Sequence, residues 1–138
     1  MLPELMLLGF AAWTLLLLLT TVGVYRLSRV FRGRAGMGEF PADQVEGQDW
    51  YRRSMRAHAN CVENLPVFAV LVYALRAGGI VDPAVDPLCA VILVARIHQS
   101  LVHVCFVQTD RVVSVRFTFF FIQFLCFVGL IAVIALRR

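Results

Sequence analysis

The sequence predicts an all-α integral membrane protein built as a bundle of four transmembrane helices. Of its 138 residues, 60% are hydrophobic and only 16% are charged, which is too apolar for an ordinary soluble domain. The apolar residues are gathered into four long runs, and a helix needs about 20 such residues to cross the hydrocarbon core. Each run therefore predicts one span, and residues 1–138 are expected to form a single membrane domain.

The charged residues are distributed as in a membrane protein. The formal net charge of +4 comes from 13 arginines against 9 acidic residues, with no lysine. Arginines cluster near the ends of the apolar runs, which indicates membrane orientation and not a nucleic-acid partner. The cysteines lie inside apolar segments at spacings that match no zinc or disulfide motif, so free thiols and no metal site are expected.

The first predicted helix covers about residues 3–30. Its charge-free run from Leu5 to Tyr25 is long enough to span, and Tyr25 lies at the expected membrane interface. This run is longer than the core of a signal peptide and has no basic residue before it, so it predicts a retained first span. The loop that follows is the only long connection in the sequence.

Three more helices are predicted, over about residues 49–77, 87–108 and 112–136. The first of them contains Pro66, which predicts either a local kink, because proline frees a backbone carbonyl, or simply one of the prolines common in membrane helices. The next follows a turn rich in aspartate and proline. The last is rich in phenylalanine, which is expected to face lipid and neighbouring helices.

The leading half of the second predicted helix carries polar residues at membrane depth. Arg56, Asn60 and Glu63 are spaced i, i+4 and i+7 and therefore share one helical face. Asn64 and Arg53 extend this face. The uncharged run that follows has only about 12 residues, so the span must begin near Arg56. Ionisable groups are costly at that depth and indicate function, although a structural polar cluster is the alternative interpretation.

The third predicted helix has an arginine at its middle. Gln99 and His103 follow Arg96 at i+3 and i+7 and share its face. A single arginine inside the membrane needs a partner, and Glu63 is the only acid in the sequence at a comparable depth. We therefore expect Glu63 and Arg96 to form an ion pair.

The distribution of arginines predicts the topology. The arginines near the first and third connections are Arg26, Arg29, Arg32, Arg34, Arg52, Arg53, Arg111 and Arg116. The opposite side carries only Arg76, Arg137 and Arg138. By the positive-inside rule, the long first loop is cytoplasmic and both termini lie on the other side of an inner or cytoplasmic membrane.

This topology opens the polar halves of the last three helices toward the same compartment. The candidate site residues there are Arg53, Arg56, His58, Asn60, Glu63, Asn64, Arg96, Gln99, His103 and Arg116. One acid among several cationic groups suits an anionic ligand, and a cation near a thiol favours the thiolate. Many anionic ligands would fit this set.

The segment from Arg56 to Pro66 reads Arg-Ala-His-Ala-Asn-Cys-Val-Glu-Asn-Leu-Pro. It resembles the second-helix signature of the MAPEG family, the membrane-associated proteins in eicosanoid and glutathione metabolism. The pattern Arg-Ala-x-x-Asn-x-x-Glu-x-x-Pro is specific when it opens a membrane helix, and length and number of spans also fit. The resemblance covers essentially the whole chain and implies a homotrimer with its site between subunits.

The resemblance also implies the ligand and several roles. In family members that bind glutathione, the second-helix Arg, Asn and Glu line the site, and they correspond here to Arg56, Asn60 and Glu63. His58 is implied as a further contact, and Arg96 matches a third-helix arginine. Glutathione is thus the expected cofactor.

Thiol activation is assigned by the same resemblance. Arg116 matches the fourth-helix arginine that stabilises the thiolate, with Arg111 as the alternative. Gln99 and His103 stand where characterised members often have tyrosine or histidine. His103 could donate to the ligand or form only an interhelical bond.

The resemblance implies a glutathione-dependent transferase or peroxidase that acts on a hydrophobic small molecule or lipid from the bilayer. A non-catalytic scaffold of the same family that binds lipid or glutathione is the alternative. A small multidrug transporter fits poorly, because such transporters carry an essential glutamate in the first span and no acid lies between Leu5 and Tyr25.

Overall fold

Four long helices account for most of the chain. The computed structural model describes residues 2–40 and 47–137. The helices are α1 (Leu2–Phe31), α2 (Asp49–Ala77), α3 (Val85–Cys105) and α4 (Asp110–Arg137). The shortest has 21 residues, which at about 1.5 Å per residue matches a hydrocarbon core of about 30 Å. The predicted all-α class with four helices able to cross a membrane is confirmed.

The helix ends define two sides of the bundle, which we name the loop side and the termini side. The loop side holds the connections at residues 32–40, 47–48 and 106–109. The termini side holds Leu2, the turn at residues 78–84 and Arg137. Helix α3 begins and ends two or three residues earlier than predicted, because an aspartate-capped turn starts it and the extended backbone of Phe106 stops it.

Helix α1 contains a π-helical segment, Leu18–Gly23, that the sequence did not predict. The wider turn leaves some backbone carbonyls without ordinary helical partners. The Thr20 hydroxyl donates to the Leu16 carbonyl at 2.7 Å, and the Thr21 hydroxyl donates to Leu17. Local threonines therefore support the irregular segment from within the helix.

An aromatic cluster joins the loop-side ends of α1 and α2. The rings of Tyr25 and Tyr51 stack with centroids 4.1 Å apart, and Trp50 lies 6.1 Å from Tyr25. Arg26 Nε donates to the Tyr51 hydroxyl at 2.8 Å, and its guanidinium lies 5.4 Å from the Phe40 ring. Aromatic rings of this kind are typical of the membrane interface, where Tyr25 was expected.

The apolar core lies between all four helices. Phe68 of α2 is 5.9 Å from Phe10 of α1 and 6.2 Å from Phe127 of α4, measured between ring centroids. Gly9 lets α1 approach α3, because a Cβ there would lie 3.0 Å from a Leu93 methyl. Helix α2 runs without interruption through Pro66.

A clasp on the termini side ties the end of α4 to the turn before α3. Both Nε and Nη2 of Arg137 donate to Asp82 Oδ2, at 3.0 and 2.8 Å. The Ala84 N–H first, and then the Arg137 guanidinium, hold the pKa of the Asp82 carboxyl below its ordinary value. A lowered carboxyl pKa stabilises the fold above about pH 4, and this contribution is lost as the pH falls through the lowered pKa.

Candidate functional site

Polar side chains from α2, α3 and α4 converge on the loop side, and we name this set the polar cleft. Its members are Arg53, Gln99, His103 and Arg116. Gln99 and His103 are buried, with 6% and 2% of their surfaces exposed. Arg53 Nη2 donates to the Val104 carbonyl at 3.5 Å, and the charges of Arg116, Arg56 and Arg53 all act on His103.

Several buried atoms of the polar cleft have no hydrogen-bond partner among the described residues. They are Arg53 Nε, Gln99 Oε1, His103 Nδ1, and Arg116 Nε and Nη1. A buried polar atom without a partner costs roughly 1–3 kcal/mol, so five of them in one set are unusual for a purely structural cluster. Most are N–H donors on cationic groups. The set therefore favours a bound ligand that offers an anionic acceptor.

A cavity of about 360 Å³ adjoins the polar cleft at the loop-side surface. It is lined by Asp49, Arg52, Arg53, Arg56, Val107 and Gln108. The only acid in this lining is paired, since Asp49 Oδ1 lies 2.6 Å from Arg52 Nη2. The cavity is cationic and has the size of a small-molecule site.

The signature segment of α2 places Ala57 and Cys61 in the core and its charged residues on the outer face of the helix. Arg56 and Glu63 are exposed on the outer face, and Asn60 is half-buried beside them. His58 and Asn64 are half-buried, and Asn64 Nδ2 donates to the Asn60 carbonyl at 2.8 Å. Neither Arg56 nor Glu63 has an ion pair within residues 2–40 and 47–137. Charges on the outside of a membrane helix are costly, so this face needs cover from another molecule.

The expected ion pair between Glu63 and Arg96 is wrong. Arg96 is only 1% exposed, donates from Nη2 to Gln123 Oε1 at 2.5 Å, and lies 5.8 Å from the Phe10 ring centroid. Cys61 faces α3, with its Sγ 3.4 Å from Ser100 Oγ. Glu63 follows Cys61 by two residues, which corresponds to about 200° around the helix axis, so Glu63 points outward. Its charge acts on Arg96 only at a distance.

The two candidates for thiolate stabilisation differ in position. Arg116 is half-buried, belongs to the polar cleft, and lies within electrostatic range of Arg56. Arg111 is exposed at the start of α4. His98 lies apart from the cleft, and the centroid of its ring is 5.5 Å from that of Phe119. The geometry favours Arg116 as the cationic group nearest to a ligand in the cleft.

Metal and disulfide sites are absent from the described part of the chain. No group of three His, Cys, Asp or Glu side chains there has a geometry that could hold a metal ion. All four cysteines are free, and Cys105 alone is exposed. A second cavity of about 310 Å³ lies on the termini side and mixes Glu4, Asp82 and Asp86 with Arg76.

Two glutamines near the candidate site were not among the predicted site residues. Gln123 is buried against Arg96, and its position as the lone strongly polar residue in the apolar run between Arg116 and Arg137 was the available signal. Gln108 lies in the loop after α3, and its Nε2 is 3.4 Å from His103 Nε2. No sequence pattern indicated that this loop folds back onto His103.

Comparison with known proteins identifies one similarity. A family model described as the MAPEG family matches residues 5–136. No curated protein and no solved structure matches the chain. The matched range contains every member of the polar cleft and both charged residues of the outer face of α2.

We expect Gln123→Leu to destabilise the protein by about 1.5–3 kcal/mol, because it removes an acceptor from a buried charge. Unfolding in detergent, followed by circular dichroism, measures this change. Gln108→Leu is the matched control and should change stability little, since Gln108 is exposed. The double variant Arg96→Leu/Gln123→Leu should recover much of the loss. Equal losses for Gln123→Leu and Gln108→Leu would contradict this role of Gln123.

Proposed function

The chain belongs to the MAPEG family, and we propose that it binds glutathione in the polar cleft and activates its thiol for reaction with a hydrophobic electrophile. It is an integral membrane protein of a family linked to glutathione and eicosanoid metabolism. The observation that carries the proposal is the set of unpaired donors of Arg53 and Arg116 beside a cationic cavity. These donors fit an anionic peptide.

The proposed ligand contacts follow from charge and position. Arg53 and Arg56 line the cavity and bind carboxylates, because a guanidinium can donate two parallel hydrogen bonds to one carboxylate. The Glu63 carboxylate accepts a hydrogen bond from the amine of glutathione. The remaining candidates, which supply amide or imidazole contacts or shape the site, are His58, Asn60, Asn64, Gln99 and His103. Arg96 supports the site from the core, since its guanidinium is engaged with Gln123.

Arg116 is the proposed activating residue. Bound glutathione supplies a thiol, and the ionised form of a thiol is the nucleophile. Arg116 holds the negative charge of the sulfur through Nε and Nη1, which have no partner among the described residues. The surrounding helices keep these donors away from bulk water, which strengthens their interaction with an anion.

The electrophile is proposed to enter from the bilayer. The face of α4 that carries Phe117, Phe120 and Phe121 is apolar and exposed in the single chain. A hydrophobic small molecule or lipid dissolves in the same layer. The loop side is proposed to face the cytoplasm, because it carries most of the arginines.

Assembly as a homotrimer is part of the proposal. The outer face of α2 carries Arg56 and Glu63 without partners in the described chain, so a neighbouring copy is a suitable cover. A site between copies would also let donors of the polar cleft and Glu63 contact the same ligand. The family membership supports this arrangement.

Titration calorimetry of the detergent-purified protein with glutathione tests the main proposal. The wild type should bind saturably. Arg56→Gln should weaken binding roughly tenfold or more, since hydrogen bonds to charged groups contribute about 1.5–3 kcal/mol. Arg111→Gln, which changes an exposed arginine outside the cavity, is the matched control and should bind like the wild type. A folded wild type that shows no binding would refute the proposal.

The role of Arg116 is tested by the ultraviolet absorbance of the bound thiolate against pH. Wild type and Arg111→Gln should show the thiolate near neutral pH, and Arg116→Gln should lose it. Turnover of a chlorinated aromatic acceptor should fall about a hundredfold in Arg116→Gln, while glutathione affinity changes much less. Loss of the signal in Arg111→Gln alone would assign the role to Arg111. A wild type that binds glutathione without thiolate or turnover would establish the non-catalytic scaffold.

The oligomeric state is tested by mass measurement in mild detergent. We expect a mass three times that of the chain. Replacing Glu63 by leucine should change the distribution of species, because it removes a charge from the outer face of α2. A stable monomer with full affinity for glutathione would rule out a site between subunits.

A further inference from the structure

Helix α1 extends beyond the membrane interface on the loop side and ends in a cluster of arginines. We name Arg29, Arg32 and Arg34, together with Phe31, the arginine collar. The aromatic cluster at Tyr25 marks the interface. At about 1.5 Å per residue, Arg29 lies roughly 6 Å and Arg32 roughly 10 Å further along the helix axis. A polar headgroup layer is about 5–8 Å thick on each side of the hydrocarbon, so Arg29 lies at headgroup level and Arg32 lies just beyond it, within reach of the headgroups by its long side chain.

The backbone at the end of α1 holds the arginines of the collar together. Gly33 has a φ of +63°, its N–H donates to Val30 at 3.0 Å, and the Arg34 N–H donates to the Arg29 carbonyl at 2.9 Å. This pair of bonds is a Schellman motif, which folds the chain back over the last helical turn. Arg34 is thereby brought beside Arg29 instead of continuing away from it. Three positive charges are concentrated around one helix end.

The charges of the collar are available to a ligand. Residues 26–37 contain four arginines and no acid. Arg32 and Arg34 are exposed, and neither has an ion pair in the described part of the chain. Arg29 is oriented by Tyr25, whose hydroxyl accepts from its Nη1 at 3.5 Å. The collar therefore has unneutralised cations at a fixed position.

Large apolar side chains accompany these cations. Phe31 is 84% exposed and Met37 is 79% exposed. Apolar side chains next to arginines at an interface are typical of segments that insert beside lipid headgroups. Phe31 can then pack against the headgroup layer while Arg32 and Arg34 reach the phosphates.

We propose that the arginine collar binds the phosphate of an anionic phospholipid in the loop-side leaflet. The guanidinium groups donate hydrogen bonds to phosphate oxygens, and Phe31 packs against the lipid beside them. The proposal concerns residues outside the polar cleft and its cavity. It does not depend on glutathione binding.

Native mass spectrometry of the protein with added phosphatidylglycerol or phosphatidylcholine tests the proposal. The wild type should retain phosphatidylglycerol preferentially. Arg32→Gln/Arg34→Gln should reduce this preference by about fivefold for each arginine removed. Arg32→Lys/Arg34→Lys should keep most of it. Since both side chains are exposed and unpaired in the described chain, the variants should fold, and circular dichroism checks this.

A control removes the same number of positive charges from the other side of the bundle, where Arg76 and Arg137 form ion pairs, and circular dichroism checks that it folds. Arg76→Gln/Arg137→Gln should keep the preference for phosphatidylglycerol. Equal retention of the two lipids by the wild type, or equal losses in the loop-side and termini-side variants, would overturn the proposal. Displacement of the lipid by inorganic phosphate at equal concentration would show that the collar binds free phosphate, and this also overturns it.

Discussion

The burial of Arg96 in the middle of the bundle is the constraint on which the rest of the arrangement depends. A guanidinium that is 1% exposed must find partners inside the protein, and here Gln123 and the Phe10 ring provide two, while its Nε has no hydrogen-bond partner among the described residues. These contacts join α3 to α4 and α1 at one level. Gln99 and His103 follow Arg96 on the same face of α3, so fixing its orientation also directs them into the polar cleft.

Helix α2 carries core-packing residues on one face and candidate ligand-binding residues on the opposite face. Its inner face carries Ala57, Cys61 and Phe68, which are buried in the bundle. Its outer face carries Arg56 and Glu63, which the single chain leaves exposed. Buried and exposed residues therefore alternate along the family signature. A site that uses both the outer face and the cleft must be completed by a ligand, a neighbouring copy, or both.

The two sides of the bundle use arginine differently. On the termini side, Arg137 is neutralised by Asp82, so its charge closes the fold. On the loop side, Arg53 and Arg116 retain unpaired donors, and Arg32 and Arg34 have no ion pair among the described residues. Charge that is neutralised holds helices together, whereas charge left unpaired is available to anions in water or at the membrane surface.

The sequence by itself determined the number of spans and the side on which the arginines gather, because hydrocarbon thickness sets helix length and charges avoid its centre. It also identified Arg56, Asn60 and Glu63 as one face, since helical periodicity is local. Only the tertiary structure decided which way that face points. The partner of Arg96 depends on the rotation of α2, α3 and α4 about their own axes, and packing sets these rotations. The contact between Gln108 and His103 is local, but it depends on where α3 ends, and the extended backbone of Phe106 that ends it was not predicted from the sequence.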